Sequence, residues 1–403
     1  MTADNKPSGS RRDFLKTAAA TAGLAAAGTF VPARFAIGQQ AKVKVGLMLP
    51  YTGTFAQLGD AITNAFKLYV AEKGGKLGGR ELEYYVVDDE SNPAKATDNV
   101  NRLITRDKVD VVVGTVHSGV LLGMVKVARE TGALLICPNA GADEATGPLC
   151  APNIFRTSFT NWQPAHPMGK VFYEKGYKTA VTITWKYAAG EQMVNSFKEG
   201  YTKLGGKILK ELYLPFPQVE FQALLTEIAS LKPDCVFSFF AGGGAVKFVK
   251  DYAAAGLKDK IPLGGPGFLT DGTLEAQGAA AQGLLTTLHY GDGIETEINK
   301  RFQFNYAKTY RSRPDVYAVQ GYDAAQLLAL GLEAVKGDIG ARKNVIKAME
   351  GAKIVSPRGT WTMSKAHNPI QDIYLRRVEG VENKVIGVAW KALADPARGC
   401  KMT

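Results

Sequence analysis

The chain has 403 residues, of which 46% are hydrophobic and 22% are charged. At about 150 residues per domain this length predicts two to three domains, and the composition excludes disordered, collagen-like and disulfide-framework proteins. The four cysteines show no C-x-x-C spacing, so a structural zinc site has no support.

The formal net charge of +11 does not by itself indicate a nucleic-acid partner. Residues 1–41 hold five basic and two acidic side chains, and their removal would leave a net charge of about +8. The remaining basic residues are mixed with acidic ones, and no basic stripe alternates with aromatic residues. We therefore expect no nucleic acid among the partners.

The first forty residues have the pattern of a bacterial export signal. The pair Arg11-Arg12 precedes the run Phe-Leu-Lys, and no charged residue occurs from 17 to 33. A charged segment before an apolar one is typical of secretory signals, and the paired arginines resemble the twin-arginine motif. An N-terminal anchor helix is the alternative, but the apolar run is short and weak for a membrane span. We expect a signal peptide over residues 1–41, cleaved between 36 and 41, and a periplasmic mature protein.

The cysteines fall into two pairs with different surroundings. Cys137 and Cys235 lie in apolar strand-like runs and are predicted to be buried thiols. Cys150 and Cys400 lie in loops rich in glycine and proline, and they are the candidates for a disulfide, which the periplasm would allow.

Along the first part of the mature chain, apolar runs alternate with helical periodicity. The predicted strands are 43–49, 82–87, 109–113 and 133–137, and the predicted helices are 59–72, 95–107 and 121–131. Continuous runs of Val, Leu and Ile between helices are typical of a parallel sheet covered on both faces.

The same pattern begins again after residue 156. The predicted strands are 180–184, 207–213, 235–239 and 261–263, and the predicted helices are 191–203, 221–231 and 245–254. A third part holds predicted helices 297–310, 321–335 and 341–349 and predicted strands 372–377 and 384–390. The chain is therefore predicted to be an α/β protein with two doubly wound parallel-sheet lobes, which the third part crosses back to complete.

Two such lobes would enclose a ligand between them, because open α/β sheets bind ligands beyond the carboxyl ends of their strands. The loops at these ends are 51–59, 114–120, 138–141, 185–190, 241–244 and 264–268.

Several ordered motifs then carry a family resemblance. They are Gly-Leu-Met-Leu-Pro-Tyr-Thr-Gly at 46–53, Ala-Gln-Leu-Gly at 56–59, Gly74-Gly75, Asp88-Asp89-x-x-x-Pro93, Val113-Gly114, Pro138-x-Ala140, Asn-Ile-Phe-Arg-Thr at 153–157 and Gln-Gly-Tyr-Asp-Ala at 320–324. Together they resemble the leucine/isoleucine/valine-binding proteins, the extracytoplasmic substrate-binding components of ATP-driven importers.

The resemblance implies a type I periplasmic-binding fold with three crossings between lobes that close like a hinged clamp. Lobe 1 would comprise residues 42–159 with about 289–360, and lobe 2 would comprise residues 160–288 with about 361–403. It also implies a membrane permease as partner, a monomeric protein and no cofactor.

The resemblance assigns the ligand's carboxylate to the first lobe. The matching positions are Ser118, Asn139, Ala140 and Gly141, where hydroxyl and N–H donors near helix N-termini would favour an anion. Each has a simpler interpretation: Ser118 could cap the following helix and Asn139 could be a turn residue. His117 is either a polar loop residue or a partner for a ring hydroxyl.

The second lobe departs from the family pattern. Amino-acid binders of the family carry a glutamate in a Gly-Pro-Glu-Gly loop that pairs the ligand's ammonium, whereas this chain has Gly264-Gly265-Pro266-Gly267. A buried ammonium without a partner is strongly disfavoured. The departure therefore favours a carboxylate that has no α-amino group.

Aromatic residues in the cleft loops favour a flat ligand. The candidates for contact with it are Tyr51, Phe55, Gln57, Trp185, Tyr187, Ala241, Gly242, Gly265, Pro266 and Tyr290. We expect a benzoate-like or phenylpropanoid-like carboxylate. Branched-chain amino acids and short amides are the alternatives, and a shifted alignment would let Asp271 or Glu191 supply the missing anion.

An exported enzyme is the competing class, because twin-arginine export often carries cofactor proteins. The chain has no dinucleotide fingerprint and no G-x-S-x-G nucleophile motif. His166, His289 and His367 are far apart in the sequence and predict no metal site. A receptor's sensing domain is a third class, but the sequence contains neither a membrane span nor an effector domain.

Overall fold

The apolar run after Lys42 forms the central strand of the first sheet. The computed structural model describes residues 41–403, which form one compact unit. The predicted export signal and its cleavage site lie outside the described residues. The strands of the first sheet are β1 (Val43–Leu49), β2 (Lys76–Leu77), β3 (Arg80–Asp88), β4 (Val111–Gly114), β5 (Leu134–Cys137) and β6 (Ile154–Arg156). Their order is β2-β3-β1-β4-β5-β6, and all pairs except β2 with β3 are parallel.

The second sheet begins with another parallel set. Its strands are β7 (Thr179–Lys186), β8 (Lys207–Pro215), β9 (Cys235–Phe239), β10 (Leu263–Pro266), β11 (Leu285–Leu288), β12 (Lys353–Ser356), β13 (Gly359–Met363), β14 (Pro369–Glu379) and β15 (Glu382–Leu393). Strands β7 to β11 pair in parallel, and β14 continues this sheet antiparallel to β11.

Helices connect the strands and cover the sheets. They are α1 (Ala56–Glu72), α2 (Pro93–Asn101), α3 (Ser118–Thr131), α4 (Trp162–Glu174), α5 (Ala188–Thr202), α6 (Gln222–Leu231), α7 (Gly242–Ala254), α8 (Leu274–Gln277), α9 (Glu297–Tyr310), α10 (Val316–Ala334) and α11 (Arg342–Glu350). Helix α10 packs on α1, beside the first sheet. Among these described helices, none has the length and apolar character that a membrane crossing requires.

The predicted α/β fold with two lobes is confirmed. Helix α4 and strand β11 were not predicted, and each has a local cause. Helix α4 contains Pro164 and Pro167. The local sequence therefore argues against a helix, because proline removes an N–H and crowds the preceding turn. Strand β11 has the sequence Leu-Thr-Thr-Leu, which is no continuous apolar run. The residue boundaries of the two lobes stay a prediction.

The cysteines occupy two environments. Cys150 and Cys400 form a disulfide with their Cα atoms 5.6 Å apart, and nearby the Thr146 hydroxyl donates to Asp395 at 2.9 Å. The C-terminal segment is thereby fastened beside the first sheet. Cys137 and Cys235 are buried free thiols, as predicted.

Candidate functional site

A small cavity lies beyond the carboxyl ends of the parallel strands of both sheets. Each of the six loops that the sequence indicates contributes to its wall. The first sheet supplies Phe55, Leu58, Val116, Ser118, Asn139 and Gly141, and the later elements supply Phe159, Asn161, Tyr187, Ala189, Phe239, Ala241, Phe268 and Tyr317. None of these lining residues is charged.

Six aromatic rings form most of the apolar wall. The ring centroids of Phe159 and Phe268 are 4.7 Å apart, and that of Phe268 is 6.0 Å from Tyr317. Phe239 lies against both Phe268 and Tyr187. A flat apolar ligand would therefore meet rings from several directions, which suits the offset and edge contacts that aromatic groups prefer.

The polar part of the wall is built around Ser118 and Gly141. The Asn161 amide donates to Ser118 Oγ at 3.4 Å, and a Cβ at position 141 would overlap Asn161 and Phe159. Among the described residues, no acceptor takes the backbone N–H of Ser118 or of Gly141. Two N–H donors and one hydroxyl are thus free to bind an anion at this point.

Helix N-termini add a favourable field for that anion. Helices α3, α5, α7 and α10 begin at cavity-lining residues or directly beside them. Each helix N-terminus carries about half a positive charge from aligned peptide dipoles. The cavity can therefore stabilise a carboxylate although no lysine or arginine lines it.

His117, and not Ser118, caps helix α3. Its Nδ1 accepts from the N–H groups of Gly119 at 3.1 Å and Val120 at 3.4 Å, and Ser118 is the first helical residue. Burial lowers the pKa of His117 to about 4, so the ring is neutral and can act as this acceptor. Its ring packs 4.8 Å from that of Tyr187 and lies outside the set of residues that line the cavity.

Asn139 and Ala140 differ in what they offer the cavity. Asn139 lines it and donates through Nδ2 to Gln320 at 2.6 Å, while Gln320 Nε2 lies 3.0 Å from His289 Nε2. The N–H of Ala140 donates to Thr115 at 2.9 Å. Asn139 is therefore held in place from behind, and Ala140 has no free N–H for a ligand.

Two aromatic candidates from the sequence lie behind or beside the cavity. Trp185 is fully buried and donates through Nε1 to Gln218 at 2.7 Å. The Tyr290 hydroxyl bonds Asn299 at 3.2 Å and accepts from Gln303 at 3.1 Å. Both rings are fully buried, and their polar atoms are bonded away from the cavity.

The remaining candidates stand outside the cavity wall. Gln57 donates through Nε2 to the carbonyl of Gly272 at 3.1 Å, and Tyr51 shares a 2.8 Å hydrogen bond with Thr63. The other three, which line no part of the cavity, are Gly242, Gly265 and Pro266.

The two acidic residues that a shifted alignment would bring in do not reach the cavity. Asp271 forms a buried ion pair with Arg376 at 2.7 Å; burial raises the pKa of Asp271 and the guanidinium opposes this rise. Glu191 is exposed on α5. Neither carboxylate is therefore placed to pair an ammonium in this cavity.

Sequence reasoning missed five important lining residues: Phe159, Asn161, Phe239, Phe268 and Tyr317. Phe239 and Phe268 end a predicted strand and a predicted loop, so strand-end position was a usable signal for them. Phe159 and Asn161 follow strand β6, which the pattern did not reveal, and Tyr317 lies ahead of the predicted start of its helix at 321.

The chain is similar in sequence to periplasmic binding proteins. The family model described as periplasmic binding protein matches residues 42–384. A Leu/Ile/Val-binding protein homolog 6 from Brucella melitensis is 29% identical over 343 residues, which is 83% of this chain and 87% of the relative.

Two solved structures are similar over nearly their whole length. A solute-binding protein of an ABC transporter from R. palustris, in complex with benzoate, is 53% identical with a TM-score of 0.88, covering 90% of this chain and all of the other. A solute-binding protein from Rhodopseudomonas palustris BisB5, in complex with 3,4-dihydroxybenzoic acid, is 33% identical with a TM-score of 0.84, covering 88% of this chain and 99% of the other.

Proposed function

The chain belongs to the periplasmic binding protein family of ABC-transporter substrate-binding proteins, which are not enzymes, and from that premise we propose that its ligand is a small aromatic carboxylate. The observation that carries the proposal is the uncharged, ring-lined cavity with free N–H donors at one point of its wall. The similar proteins whose structures contain benzoate and 3,4-dihydroxybenzoic acid support the same class.

The carboxylate binds at Ser118 and Gly141. The Ser118 hydroxyl and the two backbone N–H groups donate to it, and the N-terminus of α3 adds its partial positive charge. Hydrogen bonds to a charged group are worth about 1.5–3 kcal/mol each. Together these hydrogen bonds replace the ones that water makes to the carboxylate before it binds.

The absence of acidic groups from the wall disfavours an amino acid. An α-ammonium would lie beside the carboxylate with no carboxylate of the protein to pair it, and burying an unpaired charge costs several kcal/mol. Asp271 is already paired with Arg376. A branched-chain amino acid, as in the names of the curated relatives, fits this wall less well than a benzoate.

The size of the cavity favours a single ring. The cavity is small, and the rings of Phe159, Phe239 and Phe268 line it closely. Benzoates therefore fit better than phenylpropanoid acids, whose side chain adds length.

Capture proceeds by closure of the two lobes on the ligand. In the closed arrangement Gln57 of α1 donates to the carbonyl of Gly272 at 3.1 Å, and Gly244 of α7 donates to Thr54 at 3.2 Å. These contacts cover the ligand and present a closed surface to the membrane permease. The family is periplasmic, and residues 1–41 provide the export signal for that compartment.

Isothermal titration calorimetry tests the proposal with benzoate, 4-hydroxybenzoate, 4-hydroxycinnamate, benzamide and leucine as ligands. We expect the benzoates to bind tightest, the cinnamate more weakly, and benzamide at least about a hundredfold more weakly because it lacks the charge. Tight binding of leucine with no response to any benzoate would overturn the proposal while leaving the family intact.

A further inference from the structure

The hydroxyl of Tyr317 is an unpartnered polar group in the wall of the cavity. Tyr317 is the second residue of α10 and is 1% exposed. Among the described residues no hydrogen-bond partner reaches its hydroxyl oxygen. A buried hydroxyl without a partner is unfavourable, so its position requires a reason.

The hydroxyl stays protonated at any physiological pH. Burial, together with the nearby carboxylates of Asp271 and Asp315, raises the pKa of Tyr317 well above its ordinary value. A neutral phenol can donate one hydrogen bond and accept another. Its natural complement is a group that does the same, such as a second hydroxyl.

Tyr317 is separated from the anion-binding point by aromatic rings. Asn161, which donates to Ser118, lies against Gly141 together with Phe159. Phe159 contacts Phe268, and Phe268 contacts Tyr317. A ring that lies along these two phenylalanines with its carboxylate at Ser118 turns its far edge toward Tyr317.

On the basis of the proposed function, we infer that Tyr317 selects aromatic acids that carry a hydroxyl on the ring edge opposite the carboxylate. The Tyr317 hydroxyl pairs with that substituent in the closed protein. Benzoate fills the same space but leaves Tyr317 unpaired, and a site built to pair a hydroxyl discriminates against the analogue that lacks it. The preferred ligands are therefore 4-hydroxybenzoate and 3,4-dihydroxybenzoate rather than benzoate.

The test measures dissociation constants of benzoate and of 2-, 3- and 4-hydroxybenzoate for the unaltered chain and for Tyr317→Phe. We expect the unaltered chain to prefer 4-hydroxybenzoate over benzoate by at least about tenfold. Tyr317→Phe should abolish this preference, because both ligands then meet the same apolar ring edge.

Two further variants make the assignment specific. Tyr290→Phe removes a buried hydroxyl that bonds Asn299 and Gln303 away from the cavity, and it should keep the preference even if it lowers stability. Tyr187→Phe removes the other tyrosine hydroxyl of the wall. Loss of the preference in Tyr187→Phe but not in Tyr317→Phe would overturn the role of Tyr317.

The failure of this inference is distinguishable from failure of the proposed function. Equal affinities for benzoate and 4-hydroxybenzoate, unaffected by Tyr317→Phe, would overturn the inference and leave the aromatic carboxylate in place. Absence of binding by every benzoate in the series would overturn both. If a variant does not fold, the preference of the unaltered chain for 4-hydroxybenzoate over benzoate still tests the inference.

Discussion

The backbone N–H of Gly244 donates a 3.2 Å hydrogen bond to the hydroxyl of Thr54, and this bond joins the first turn of α7 to the turn before α1. Gly242, two residues earlier, packs against the carbonyl of Thr54 so closely that a Cβ there would overlap it. The two sheets therefore meet through backbone that tolerates no side chain at this position.

Gly242→Ala is expected to weaken ligand binding by at least about tenfold, because the new methyl group overlaps Thr54 and the position has a φ of 55° that disfavours alanine. Calorimetry with 4-hydroxybenzoate gives the affinity, and small-angle scattering shows whether the ligand still closes the lobes. Gly243→Ala is the matched control, since its Cβ would lie an ordinary 3.4 Å from Thr54 Oγ1. Equal affinities of the two variants would contradict the role of this contact.

Ser118→Ala should weaken binding of benzoates about tenfold to a hundredfold, which corresponds to the loss of one hydrogen bond to a charged group. Ser91→Ala removes another buried serine hydroxyl that lies outside the cavity and should leave the affinity unchanged. Calorimetry on both variants checks the difference. Unchanged affinity in Ser118→Ala would place the carboxylate elsewhere in the cavity.

Pro266→Glu should not create tight leucine binding, although the family resemblance aligns this position with an ammonium-pairing glutamate. Pro266 is buried in β10 and does not line the cavity, so the new carboxylate would be desolvated without a partner. We expect the free energy of unfolding to fall by several kcal/mol, measured by urea denaturation with Pro266→Ala as control. Nanomolar leucine binding by the glutamate variant would refute this account.

The positions of the strands that are apolar runs were predictable from the sequence, and for two of them the bounds were predicted to the residue. Val43–Leu49 and Cys235–Phe239 have the predicted bounds, because burial on both faces requires such runs. Helix α4 was not predictable, because Pro164 and Pro167 argue against a helix locally. Its packing on α5 and on the second sheet accounts for it.

The loops that form the candidate site were predictable from the sequence, but fewer of the lining side chains were. Strand-end loops meet at the cavity as the topology requires. Trp185, however, packs beneath Gly244 and faces the core, and Tyr317 reaches the cavity only because α10 packs on α1. The pattern of neighbouring residues does not show which distant segments of the chain pack together.

Removal of the disulfide should lower stability without changing ligand selectivity. Cys150 and Cys400 are 250 residues apart in sequence, and cross-linking so long a loop restricts the unfolded chain. The double variant Cys150→Ser, Cys400→Ser should lose about 2–5 kcal/mol, seen as a lower thermal midpoint. Reductant should bring the unaltered protein to the midpoint of the variant and leave the variant unmoved. A reductant effect of equal size on both proteins would mean that the reductant does not act through this disulfide.

The capping histidine makes stability depend on pH. Burial lowers the pKa of His117 to about 4 in the folded protein, whereas histidine in an unfolded chain titrates near 6.5. Below pH 6.5 the unfolded chain therefore binds a proton that the folded chain does not. The contribution of the neutral cap is fully present above pH 6.5 and is lost progressively as the pH falls from 6.5 to 4.

His117→Asn isolates this effect, because asparagine is a good N-cap and does not titrate. Between pH 7.5 and 4.5 the unaltered protein should lose about 2–3 kcal/mol relative to the variant, measured as the difference between two urea-unfolding series. Buried carboxylates such as Asp143, whose pKa burial raises to about 7, are present in both proteins and cancel in that difference. Parallel pH profiles for the two proteins would mean that protonated His117 is tolerated in the folded state, and the cap would then have to be made by another group.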